Sequence, residues 1–142
     1  MILLKALWFL ILQVGAVVLT NVGEEFVVDK LTETVQTKPE YCGWGTGAGT
    51  SAKADTDLFT PANEARVLAT TSKQSTGSTA KYQAVATITS LSGQTITNAG
   101  LFTTAGSGTP PSGGSLIVKG DHTGVALLTN DQIQYTFTLD PS

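Results

Sequence analysis

Along residues 130–140, NDQIQYTFTLD, apolar and polar side chains alternate. Ile133, Tyr135, Phe137 and Leu139 fall on one side of an extended chain, and Gln132, Gln134, Thr136 and Thr138 on the other. A period of two belongs to a half-buried strand and cannot gather one apolar face on a helix. Asn130-Asp131 supplies a turn before it, and Pro141 a stop after it. Such a one-sided strand is not stable alone, so it predicts a sheet beside it and a second layer over its apolar face.

The rest of the chain supplies candidates for both. Residues 65–72 and 81–90 read as consecutive strands across the polar turn KQSTGSTA, the second placing Tyr82, Ala84, Ala86 and Ile88 on one face. After a Ser92-Gly93 turn comes QTITNAGLFTTA, where alternation slips near residues 98–100 and predicts a bulge. GSGTPPSGG reads as a loop, SLIVKG as a strand, residues 120–124 as a turn, and GVALLTN as the strand leading into the last corner. Earlier, EYCGW reads as a short strand and GTGAGTSAKADT as a loop; Pro61 leads a turn before EARV, where Arg66 is a candidate partner for Glu64. Short strands between turn signals predict a mainly β chain, an antiparallel β-sandwich or jelly roll, with one or two helical segments at the N-terminus.

Residues 21–37 carry the helical period. Asn21 with Glu24 has the spacing of a capping box, and Val27, Leu31 and Val35, flanked by Phe26 and Val28, form a face for a sheet. The helix is expected to stop near Thr37, because Pro39 disfavours helical geometry at Lys38. Before it, MILLKALWFLILQVGAVVLT is strongly apolar. Lys5 ahead of ALWFLIL and Val14-Gly15-Ala16 have the form of a secretory signal. A spanning helix would be short, with Gln13 interrupting it. The segment is read as an anchor, residues 1–20, that buries Leu7, Trp8, Phe9, Leu10 and Ile11 in a partner. Residues 21–142 are then a single domain, with the sandwich over about residues 40–140.

Composition narrows the function. Charged residues are 13% of the chain against 23 Thr and 15 Gly, the net charge is -3, and Lys81 is the only charged residue between Gln74 and Val118. That surface is ill suited to a phosphate backbone, so no nucleic-acid partner is expected. Cys42 is the only cysteine and His122 the only histidine. They are read as a packed thiol and a loop imidazole, with no metal and no cofactor. The glycines at 43, 45, 47 and 49 lack phosphate-loop spacing. No G-x-S-x-G elbow accompanies His122, and Asp55 with Asp57, or Asp121 with Asp131, read as loop solubilisers, so no catalytic residues are assigned and no enzyme is expected. Trp44, Tyr82 and Tyr135 could form a platform for a sugar, but core packing is the reading preferred for each.

The succession YCGWGTGAGTSAKADTDL, EARV, YQAVATITS, ITNAGLFTTA, GGSLIVKG and LLTNDQIQYTFTL resembles small virion structural proteins of tailed bacteriophages. In these a short helix of the LTNVGEEFVVDKL kind precedes a GTG loop, a NAGLF segment, a GD-like turn and a final alternating strand. The likeness covers Leu19 to Leu139; LLTNDQ departs from the usual acidic glycine turn, and the apolar run before Leu19 is not part of the pattern. The resemblance implies a non-enzymatic virion component. Foremost is a capsid decoration or cement protein bracing the major capsid protein and associating with copies of itself as a trimer. The alternative it implies is a tail or tail-fibre part, for which a surface glycan would be the partner, contacted by Trp44 and the GSGTPPSGG loop. Neutral, Thr-rich strands suit lateral packing of subunits, where charged rims would cost desolvation.

Overall fold

The computed structural model of the chain describes residues 17–33, 37–76 and 79–140. Among these, two antiparallel sheets form a sandwich. The strands are β1 (Val17–Leu19), β2 (Tyr41–Gly45), β3 (Val67–Leu68), β4 (Thr70–Thr76), β5 (Thr79–Thr89), β6 (Gln94–Phe102), β7 (Leu116–Leu127) and β8 (Gln132–Leu139), with one helix, α1 (Asn21–Leu31). The larger sheet has the order β1-β7-β6-β2-β3 and the smaller β4-β5-β8. The chain changes sheet between β3 and β4 at Ala69, whose buried N–H donates to the Glu40 carbonyl at 2.6 Å.

The alternation of β8 is realised as expected. Ile133 pairs with Ile88, Tyr135 with Ala86 and Phe137 with Ala84. These inward side chains meet Cys42, Trp44, Ile96, Ala99 and Leu101 of the larger sheet in one core. The outward residues of the same strands are threonines and glutamines apart from Val85 and Lys81 of β5, which keeps the far side of the smaller sheet largely polar.

Two local expectations along the strands are corrected. Residues 120–124 are not a turn: β7 runs through them, with Gly120 paired to Ala99, and the register slips between Ile96 and Asn98, so His122, Thr123 and Gly124 form a bulge within a continuous strand. A second slip falls between Leu101 and Phe102. The eight-residue turn KQSTGSTA is largely strand, since β4 and β5 stay paired as far as Thr76 and Thr79. Cross-strand pairing outweighs the weak turn preference of isolated polar residues.

The helix begins at Asn21 as expected, but its cap lies one residue earlier and it stops six residues short of Thr37. Thr20, not Asn21, is the cap: its Oγ1 accepts the Gly23 N–H at 2.9 Å and donates to the Leu116 carbonyl at 2.6 Å, fastening α1 to β7. At the other end the Thr32 N–H closes on the Val28 carbonyl, and Glu33 turns left-handed at φ 62°, so the helix ends at Leu31 and not near Thr37. The face on the sheet is the one bearing Gly23 and Phe26. Leu31 is 80% exposed and Val28 57%, so the expected Val27–Leu31 face looks outward. The cause is at Gly23, where a Cβ would lie 2.3 Å from the Ile117 carbonyl oxygen: the helix approaches the sheet along its one glycine. Val35 lies outside the described residues.

Candidate functional site

Charge is drawn inward in this protein. Residues 46–66, irregular for most of their length, cover the outer face of the larger sheet and are fastened by four buried polar side chains. Asn98 accepts the Phe59 N–H through Oδ1 and donates to the Phe59 carbonyl through Nδ2, both at 3.0 Å, as a strand partner would. Lys119, fully buried, donates to Asp55 Oδ2 at 2.9 Å and the Asp57 carbonyl at 2.8 Å, with its ammonium 3.2 Å from the centre of the Phe59 ring. Arg66 lies 3.5 Å over the Phe102 ring and donates to the carbonyls of Gly113 at 2.6 Å and Thr104 at 3.2 Å. Glu64 accepts the Trp44 indole N–H at 3.1 Å, the Leu91 N–H at 2.8 Å and the Gln94 amide. Burial pushes the Glu64 carboxyl up, but these donors outweigh it and hold the group below the usual range.

Glu64 and Arg66 are therefore not partners of each other, as the sequence suggested. Glu64 turns to Trp44, Leu91 and Gln94, whereas Arg66 turns to Thr104 and Gly113. The paired carboxylates are likewise anchors in separate places. Asp55 accepts the Ala52 N–H and holds Lys119, and both contacts lower its pKa. Asp57 accepts the Leu58 N–H, Asp121 the Ser51 N–H and Asp131 the Leu128 N–H.

His122 sits in β7, not in a loop. Its Nδ1 lies 2.9 Å from the Thr123 carbonyl, which can only accept, so the proton is on Nδ1 and Nε2 accepts the Tyr135 hydroxyl at 2.8 Å. Burial is the main force on both groups, lowering the imidazole pKa and raising the phenol well above its ordinary value. The pair ties one sheet to the other with neutral groups. Cys42 is wholly buried, and burial pushes its thiol up.

One open feature gathers free surface. A groove of about 470 Å³ runs between α1 and the end of the smaller sheet, walled by Phe26, Val27, Pro39, Ala80, Tyr82 and Leu139. Lys30, Lys38, Lys73 and Lys81 also line it, half of the chain's eight Lys and Arg residues. Tyr82 closes one side by donating to the Pro39 carbonyl at 2.7 Å; burial, then the Glu40 charge, pushes its pKa up to about 12. Lys38 reaches Glu40 at 2.9 Å and Lys81 reaches Asp140 at 2.7 Å.

Leu7, Trp8, Phe9, Leu10 and Ile11, the partner-binding residues expected from sequence, lie outside the described residues, as does the rest of residues 1–16. Trp44 is 2% exposed and belongs to the core, so it offers no face to a sugar. The groove escaped sequence reasoning because its lysines come from four separate segments. Among the described residues, no cluster of three or more His, Cys, Asp or Glu could hold a metal, and no helix is long and apolar enough to cross a membrane. No family model, curated protein or solved structure matches the chain.

Proposed function

We propose that this protein is a non-enzymatic structural component of a bacteriophage virion, a decoration or cement protein that lies on the capsid and braces the major capsid protein. The observation that carries this is the outer face of the smaller sheet. Thr70, Ser72 and Gln74 of β4, Gln83, Val85, Thr87 and Thr89 of β5, and Gln132, Gln134, Thr136 and Thr138 of β8 fall on it, and Lys81 at one end is its only charge among these positions. Threonine and glutamine can exchange water for a neighbour's backbone at little cost, whereas each buried unpaired charge would cost several kcal/mol. The inward use of Glu64, Arg66, Lys119 and Asp131 gives the same balance: the charges stiffen the domain and leave that face neutral.

In this reading residues 1–16 supply an apolar anchor on the shell; the expected boundary at residue 20 moves back because Val17–Leu19 pair with β7 and Thr20 is buried as the cap of α1, so both belong to the domain. The tail-fibre alternative loses its aromatic contact with Trp44 and keeps only the exposed loop of residues 106–114. The test is co-sedimentation of the full-length protein with capsid shells assembled without it. Saturable binding, weakened by Trp8→Glu and Phe9→Glu in the anchor and by Thr87→Lys with Thr136→Lys on the neutral face, is expected. Failure to bind shells, together with binding to host-surface glycans, would overturn the assignment.

A further inference from the structure

The apolar surface of the groove does not stop at Val27. Val27 is 39% exposed, Val28 57% and Leu31 80%, and on a helix these three make one stripe that continues from the groove wall over the outside of α1. Four of the eight large hydrophobic residues exposed among the described residues belong to this 11-residue helix. Beside the stripe stand carboxylates. Glu24 already holds Lys53 of its own chain, while Glu25 and Glu33 are exposed. One helix thus separates an acidic apolar ridge from a lysine-lined apolar groove.

We propose that the occupant of the groove is a second copy of this chain, which lays the Val28–Leu31 ridge of its own α1 against the groove walls, with Glu25 and Glu33 toward the lysines. The charge pattern selects this occupant. Residues 1–16 carry Lys5 and no carboxylate, so they would add a cation to a rim of four lysines, of which Lys38 and Lys81 already hold Glu40 and Asp140. The ridge of a neighbouring copy offers Glu25 and Glu33 beside the exposed Val28 and Leu31, which pairs both the charge and the apolar surface of the groove. Ridge and groove share α1, so every copy carries both halves, and a two-fold axis satisfies both at once. The expected assembly is a dimer and replaces the trimer inferred from sequence. It does not depend on a capsid partner.

Sedimentation equilibrium on the full-length chain tests this, with far-ultraviolet circular dichroism to show that each variant is folded. The wild type should be dimeric. A groove variant, Lys73→Glu with Lys81→Glu, and a ridge variant, Glu25→Lys with Glu33→Lys, should each dimerise roughly tenfold more weakly or worse. Leu31→Ser should weaken the dimer without changing any charge. Mixed in equal amounts, the two charge variants should recover the wild-type affinity, because in the mixed dimer one interface is native and the other has both charges exchanged. A wild type that is monomeric at about 0.1 mM overturns the proposal. So does self-association that is unmoved by these substitutions, or a mixture no tighter than its separate components.

Discussion

Replacing Glu64 with glutamine keeps the size of the side chain and turns one acceptor oxygen into a donor. Wild-type Glu64 is 6% exposed and serves three donors, two on Oε1 and the Trp44 indole on Oε2. A glutamine can satisfy only one side: with its oxygen toward Leu91 and Gln94, its NH2 faces the indole N–H, two donors with no acceptor between them. The loss is one charge-assisted hydrogen bond plus a buried indole N–H without a partner, about 2–3 kcal/mol. For a chain of this length that is a fall in Tm of roughly 6–10 °C. Urea unfolding followed by the fluorescence of Trp44 reports it directly, since Trp8 is the only other tryptophan.

The pH dependence gives a second reading. The folded Glu64 pKa lies below its ordinary 4.5, so the unfolded chain binds the proton first. The stability contributed by the ionised form is present above pH 4.5 and is lost as pH falls through the folded value. The glutamine variant should therefore lose less stability than the wild type between pH 5 and the acid limit. A variant within about 0.5 kcal/mol of wild type at pH 7, with an unchanged acid slope, would refute the account of Glu64 as the hub of this network.

Other outcomes follow from the same contacts. Gly23→Ala should destabilise by about 2 kcal/mol in thermal unfolding, because a methyl group there meets the Ile117 carbonyl and pushes α1 off the sheet; an unchanged Tm would contradict the close approach. Burial lowers the folded His122 pKa below 6.5, so stability should decline as pH falls from 6.5 and level off below the folded value; in His122→Gln that part of the slope should vanish, and persistence of the full slope would count against the bond to Tyr135. Cys42 should resist Ellman's reagent in the native state and react at the rate of opening, and prompt labelling at neutral pH would show that the core does not close over it.

Much of the β architecture is legible in single segments. Alternation in β8 and β5 assigns inward and outward faces, and those faces are the observed ones, because side-chain period is a property of the extended backbone itself. Low charge in the composition hints at the neutral outer face that carries the functional proposal, whereas no part of the groove announces itself in the sequence. What alternation cannot supply is the partner. Whether residues 120–124 reverse the chain or continue it depends on whether β6 lies alongside to accept the bulge, and whether Val27 and Leu31 or Gly23 and Phe26 face the sheet depends on how closely α1 approaches the Ile117 carbonyl. The bonds that settle such choices join residues far apart in the chain, as Thr20 to Leu116, Arg66 to Gly113 and Lys119 to Asp55 do. Local sequence decides which way a side chain points; only the folded whole decides what it points at, because a buried polar group must take whichever partner the packing brings within reach.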